Sequence, residues 1–158
     1  MSDTLEPADV RILHELQADG RLTNQALAER VGMSASPCWR RVRRLEETGV
    51  IRGYQAVLER REIGFGVLAF ARVRVDGHND KEAQEFADAV ARLDQVVACY
   101  AIAGDADFML QVVATDLEAY GRFSMEVLRA LPHIKEMQTM FVLKEIKPYR
   151  GWPVGAGP

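Results

Sequence analysis

Arg40, Arg41, Arg43 and Arg44 place four guanidinium groups within five residues of the segment PCWRRVRRLEE, Pro37 to Glu47. A guanidinium is planar, permanently charged and donates through a rigid fork, which suits phosphate oxygens and the O6/N7 edge of guanine. The second chemically expressive stretch is Gly104-Asp105-Ala106-Asp107-Phe108. Its two carboxylates can accept from backbone N–H groups, as in a plain hairpin turn, or from the ammonium of a small ligand. Two carboxylates without a third ligand or a DxDxDG spacing do not make a cation site. Cys38 and Cys99 belong to no CxxC or Cys/His cluster, so no zinc site is indicated. Cys38 reads as a small core residue, and His14, His78 and His133 read as surface or packing residues in three separate elements. No nucleophile or acid–base pair emerges at a usable spacing, which leaves an enzyme as the least supported class.

The elements that must position the arginines follow from periodicity. Pro7 to Ala18 carries Ile12, Leu13 and Leu16 on one helical side, with Leu5 as a staple. Asp19-Gly20 stops it. Thr23 caps a second helix bearing Leu27, Ala28 and Val31, and Gly32 ends it. Ser34 or Ser36 caps a third helix, Pro37 fits its first turn, and Gly49 stops it. This is the order of a helix-turn-helix. At about 100° per residue, Cys38, Val42 and Leu45 form the core stripe of the third helix. Ser36, Trp39, Arg40, Arg43 and Arg44 then face outward, with Arg41 at the edge, placed to touch phosphate or solvent. Trp39 either packs on a sugar or thymine methyl, or covers the domain core. Thr23, Asn24 and Ser34 complete the expected DNA contacts, beside Ser36, Trp39 and the four arginines. Val50 to Val57 alternates like the strand of a small wing.

The charge divides along the chain. Up to Arg60 nine basic residues balance nine acidic ones, so the net charge of -3 comes from the remainder. That remainder switches period repeatedly. Val67 to Val75 reads as a strand, and Asp80 caps a helix with Ala83, Phe86, Ala87, Val90 and Leu93 inward. Gln95 to Ile102 and Phe108 to Ala114 read as strands. Thr115 to Glu118 has the form of a capping box for a helix with Tyr120, Phe123, Val127, Leu128 and Leu131 inward. Ile134 to Ile146 is a last, long strand. The order β-α-β-β-α-β is the split βαβ, ferredoxin-like arrangement, an α+β fold with both helices on one sheet face. The other face carries Leu68, Phe70, Arg72 and Arg74 from the first strand. The last strand adds either Met137, Thr139, Phe141 and Leu143 or Met140, Val142 and Ile146. Such a half-apolar face predicts sheet-to-sheet pairing of two copies, which would also pair the DNA-reading helices. The expected organisation is a helix-turn-helix domain at 1–58, a linker at 59–66, a ferredoxin-like domain at 67–148 and a tail at 149–158. The N-terminus lacks a signal-peptide pattern and no apolar run reaches a membrane span, so a cytoplasmic protein without membrane contact is expected.

These residues resemble the Lrp/AsnC (feast/famine) transcriptional regulators over about residues 5–148. The matching positions are Asp9, Ile12-Leu13, Glu15-Leu16-Gln17, Asp19-Gly20-Arg21, Ser36-Pro37-Cys38, Arg41-Val42, Arg44-Leu45-Glu46, Gly49-Val50-Ile51, Gly53-Tyr54 and Gly104 to Phe108. The resemblance implies a sequence-specific DNA-binding regulator whose second domain takes an amino acid or related small effector, with no other cofactor. It implies homodimers formed through the sheets, commonly assembled into octamers. The effector site it implies comprises Tyr100, Ala101, Gly104, Asp105, Asp107, Leu117, Gln138, Thr139 and Met140. Of these, Ala101, Leu117 and Met140 would tune which side chain is accepted. Ala106 departs from the family, where an aromatic residue is common, and the ending PYRGWPVGAGP follows no family pattern. The competing class is an architectural protein that wraps DNA without an effector.

Overall fold

The computed structural model describes residues 5–76 and 80–155, with only the backbone of Asp80 described; His78 and the capping side chain expected of Asp80 lie outside these. The chain divides into two compact units. One runs to Val57 and takes in the segment from Lys147 onward; the other is Leu58–Ile146. As far as Gly155, therefore, the ending set aside as a tail folds with the first unit.

In the first unit, α1 spans Pro7–Ala18, α2 Asn24–Arg30 and α3 Ala35–Glu47. Pro7 sits at the first helical position, where its missing N–H has no helical acceptor to lose. Thr23 caps α2 by accepting from Ala26 N at 3.2 Å. Ser34, not Ser36, occupies the cap position of α3. Gly32 (φ +69°) and Gly49 (φ +74°) follow α2 and α3 in the left-handed conformation that ends helices at little cost for glycine. Ile12, Leu13, Leu27, Ala28, Val31, Cys38 and Leu45 form one buried cluster, each large apolar member contributing about 1.5–3 kcal/mol by leaving water. Val50 to Val57 forms no paired strand. No neighbouring ladder takes up this segment, and Val57 is exposed.

One buried residue of this unit is charged. Asp9 is fully buried and takes Arg41 Nη1 on Oδ1 at 3.0 Å and Arg44 Nη2 on Oδ2 at 2.5 Å. Glu6 N also donates to Oδ2 at 3.1 Å, and Arg41 Nη2 reaches Glu6 Oε2 at 2.8 Å. Burial alone pushes the Asp9 carboxyl up. Hydrogen bonds from Arg44, Arg41 and Glu6 N–H outweigh it and hold the group below the usual carboxylate range. The clasp fastens α3 to α1.

In the second unit β1 is Val67–Val75, α4 Asp80–Val90, β2 Val96–Ala101, β3 Phe108–Ala114, α5 Leu117–Glu126 and β4 Ile134–Phe141, with a short 3-10 turn at Leu128–Ala130. The sheet order is β2-β3-β1-β4, every pair antiparallel, which is the ferredoxin-like arrangement. Ala69, Ala71 and Val73 of β1 pack with Phe108, Leu110 and Val112 of β3 against Phe86, Val90 and Tyr120. The strand alternation sends Leu68, Phe70, Arg72 and Arg74 to the opposite face, which is open except at Leu68, itself buried. The last strand resolves the same way: Met140 lies on the open face, while Met137, Thr139 and Phe141 turn to the helices, and Val142 and Ile146 lie beyond the strand. Several boundaries differ from expectation: β2 is Val96–Ala101 rather than Gln95 to Ile102, and α5 stops at Glu126, short of Val127, Leu128 and Leu131. Asp116, rather than Thr115, caps α5, accepting from Ala119 N at 2.7 Å, because its carboxylate reaches the orphan N–H. β4 ends at Phe141 rather than Ile146, since its partner β1 begins at Val67 and Leu68 O accepts one last bond, from Val142 N at 2.9 Å. No described helix is long and apolar enough to cross a membrane.

Asp9→Asn keeps the shape of the clasp and removes its charge. The expected loss is about 3 kcal/mol of first-unit stability, read by urea unfolding. The carboxyl pKa is lower folded than unfolded. Its stabilisation is therefore complete above the unfolded value, near pH 4, and falls away as pH drops through the folded value. Acidification through that window should destabilise the parent chain more steeply than Asp9→Asn.

Candidate functional site

The outward surface of α3 is smaller than the arginine count suggests. Arg41 and Arg44 both reach Asp9; Arg41, half-buried in this clasp, is not at a free edge, whereas Arg44 stays on the exposed side of the helix while pairing with the buried acid. The Cα positions follow the helical wheel, but an arginine is long enough to carry its charge around the helix to a buried acceptor. Ser36, Trp39, Arg40 and Arg43 are outward without a bond to Asp9, and Arg44 is outward with one. Trp39 is 48% exposed, so it does not cover the core. The Arg43 guanidinium lies 5.1 Å from the Trp39 ring centroid and 3.3 Å from Glu47, which together fix its direction. Arg40 is exposed and makes no ion pair among the described residues. Thr23 is committed to its cap, and Asn24 Nδ2 donates to Ala35 O at 3.2 Å, tying the start of α2 to the start of α3. Ser34 makes no side-chain cap bond and is exposed. Cys38 is buried in the core, where burial pushes its thiol up, away from nucleophile chemistry. Glu6 and Asp9 are the residues that sequence reasoning missed here. Their signal was the even balance of acid and base before residue 61.

The second candidate site gathers around the β2–β3 turn. Asp107 N donates to Val73 O at 2.9 Å, Ile102 N donates to Asp107 O at 2.9 Å, and Asp107 Oδ2 accepts from Val75 N at 2.9 Å. Asp107 therefore extends the sheet and closes the end of β1. Gly104 (φ +132°) gives the turn its conformation. Asp105 is 81% exposed and pairs with Arg72, whose guanidinium holds the Asp105 carboxyl below its usual range. Arg72 stands in one row of the open face with Tyr100, Met109 and Gln138. Tyr100 and Gln138 lie on opposite edge strands of this row, about 14 Å apart at normal strand spacing.

The implied effector residues thus fall on two sides of the sheet. Tyr100, Gln138 and Met140 lie on the open face, and Asp105 joins it through Arg72. Thr139 turns to the helices, where its hydroxyl lies 2.7 Å from Tyr120 Oη. Ala101 pairs with Phe108 on that same side, and Leu117 is exposed at the start of α5. Residues 138–140 cannot all face one pocket of a single chain, because consecutive strand residues alternate. Arg72 is the group that sequence reasoning placed on the face but did not assign to the site. Its signal was a charge in the middle of an apolar strand.

Two family descriptions match the chain: a winged helix-turn-helix DNA-binding domain over residues 5–52 and an Lrp/AsnC ligand-binding domain over residues 68–152. The leucine-responsive regulatory protein of Rhizobium meliloti is 43% identical over 143 residues, covering 90% of this chain and 92% of the relative. That of Escherichia coli K12 is 36% identical, covering 90% and 87%. A transcriptional regulator of Neisseria meningitidis, solved as a complex with L-Met, superposes with a TM-score of 0.91 at 39% identity, covering 96% of this chain and 98% of that one. An AsnC family regulator from Agrobacterium tumefaciens superposes with a TM-score of 0.88 at 33% identity, over 94% and 96%.

The two kinds of arginine separate in a stability measurement. Arg40→Ala should change unfolding free energy by less than about 0.5 kcal/mol. Arg44→Ala, which strips Asp9 of one charged donor, should cost about 2 kcal/mol. Equal losses in urea unfolding would contradict the division.

Proposed function

The chain belongs to the Lrp/AsnC family of DNA-binding, effector-responsive transcriptional regulators, and from that premise we propose which groups read DNA and what kind of effector it answers to. The carrying observation is that α3 keeps two exposed guanidiniums clear of Asp9, one free and one held against Trp39, while two others anchor the helix. In the major groove, Arg43 is the base reader, because its direction is already set and little freedom is lost on binding. Arg40 is the phosphate contact, its long unpaired side chain being suited to neutralisation without geometry. Ser36 and the first N–H groups of α3 face the backbone as a weaker anion site.

The open face of the sheet pairs two copies, with Phe70, Met109 and Met140 as its apolar part. A two-fold axis there would present two α3 helices to two half-sites. The effector is an amino acid with an apolar side chain, a class supported by the leucine-responsive relatives and by the neighbour bound to L-Met. Its site lies between copies of the chain. The opposite-edge placement of Tyr100 and Gln138 favours this, since a single chain cannot close both around one small ligand. Gly104 and Asp105 are the contacts for its charged end. Asp107 joins them through its other oxygen, since Val75 N–H takes only Oδ2. The effector acts by binding one assembly or DNA-bound state better than another. The chain is a regulator without catalytic chemistry and works in the cytoplasm, where its DNA is.

Binding to a selected duplex and to random duplex at fixed salt tests the DNA part. The parent should prefer the selected sequence. Arg40→Ala should lower the slope of log affinity against log salt by about one. Arg43→Ala should reduce the preference itself. Unchanged footprints in both variants would overturn the assignment, and equal affinity for both duplexes would favour an architectural DNA-wrapping protein. A thermal shift across the amino acids tests the effector part: leucine or methionine should stabilise the parent and fail to stabilise Asp105→Ala.

A further inference from the structure

The segment after β4 is built into the first unit by contacts of three kinds. Trp152 is held twice by one side chain of α1: its N–H donates to Gln17 Oε1 at 2.6 Å and its carbonyl accepts from Gln17 Nε2 at 2.9 Å. A primary amide used this way satisfies both backbone groups of one residue, as a neighbouring strand would. Val154 packs against the apolar cluster that includes Ile12, Cys38 and Leu45. The rings of Tyr149 and Trp152 meet edge to face with centroids 5.6 Å apart, which stiffens the approach. Gly151 (φ +107°) and Gly155 (φ +82°) take conformations that other residues rarely adopt. A Cβ on Gly151 would run into the Gln17 amide, and one on Gly155 would stand 2.6 Å from Val10 Cγ1. Directional bonds, an apolar anchor and two glycines at the closest approaches describe a specific docking, not a trailing end.

We propose that Lys147–Gly155 is a strap that completes the DNA-binding unit. It fixes α1, α1 carries Asp9, and Asp9 holds α3 through Arg41 and Arg44. The orientation of the recognition helix therefore depends on a segment that reaches it from the far end of the chain. The strap is also the direct continuation of the strand carrying Gln138, Thr139 and Met140. It gives the ligand-binding unit a second covalent hold on the DNA-binding unit, beside the connection at residues 57–58. Only the DNA readout of the test rests on the function proposed above.

Hydrogen exchange by mass spectrometry on the full chain tests the strap, with Gly155→Val and a chain stopped after Ile146 as variants. Gly155→Val displaces the strap by strain and by collision with Val10. Both variants should exchange about tenfold faster across α1 and α3, with β1 and β3 unchanged as the internal reference. Both should also bind the duplex selected by the parent more weakly. If the shortened chain does not fold, Gly155→Val decides. Parent-like protection of α1 and α3 in Gly155→Val would overturn the proposal. A parent that binds no duplex would instead count against the DNA-reading assignment, and the exchange comparison would still decide the strap.

Discussion

Asp9 carries its charge inside the first unit, and that charge is tolerable there only because Arg41 and Arg44 reach it from α3. An isolated buried carboxylate would cost several kcal/mol or take up a proton. The need for compensation constrains both helices. α3 cannot rotate or slide without stripping donors from Asp9, and α1 cannot move without dragging α3. The apolar cluster around Ile12, Cys38 and Leu45 supplies most of the stabilisation but is weakly directional. The clasp supplies direction. It also decides which arginines are left for a ligand, because a guanidinium fastened to a buried acid is not free to meet a phosphate.

A second constraint governs the ligand-binding unit. Adjacent strand residues point to opposite faces, so Gln138 and Met140 belong to one side and Thr139 to the other. The same alternation puts Arg72 on the open face, where Asp105 meets it from the β2–β3 turn. Asp107, two residues on, is drawn into the ladder and closes β1. Two carboxylates that look equivalent in GDADF thus do different work: one sets the backbone, the other presents a charge to solvent and to Arg72.

Much of this was legible from the order of residues alone, because the signals were periodic and local. The three-helix order, the core stripe Cys38, Val42 and Leu45, the limits of β3 and the ferredoxin-like topology all follow from spacing and stop residues. What spacing does not carry is long-range pairing. Nothing near Arg44 in the chain points to an acid 35 residues earlier, and a helical wheel tracks Cα directions, not the reach of a side chain. The wing-like alternation of Val50 to Val57 was a true pattern without a partner strand to use it. Thr115 and Asp116 are both good caps, and only geometry chose between them. β4 is shorter than its apolar pattern, which continues past the point where its neighbour stops. The last residues matched no pattern, since glycines and single anchors such as Trp152 and Val154 have no period.

The division of the arginines is tested most directly by a double-mutant cycle between Asp9 and Arg44, using unfolding free energies of the parent, Asp9→Asn, Arg44→Gln and the double variant. If α3 is held by this pair, the two losses should fail to add, with a coupling of about 1–3 kcal/mol. Losses that add within about 0.5 kcal/mol would mean that Arg44 does not anchor the helix, and the free arginines of α3 would have to be drawn again with Arg44 among them.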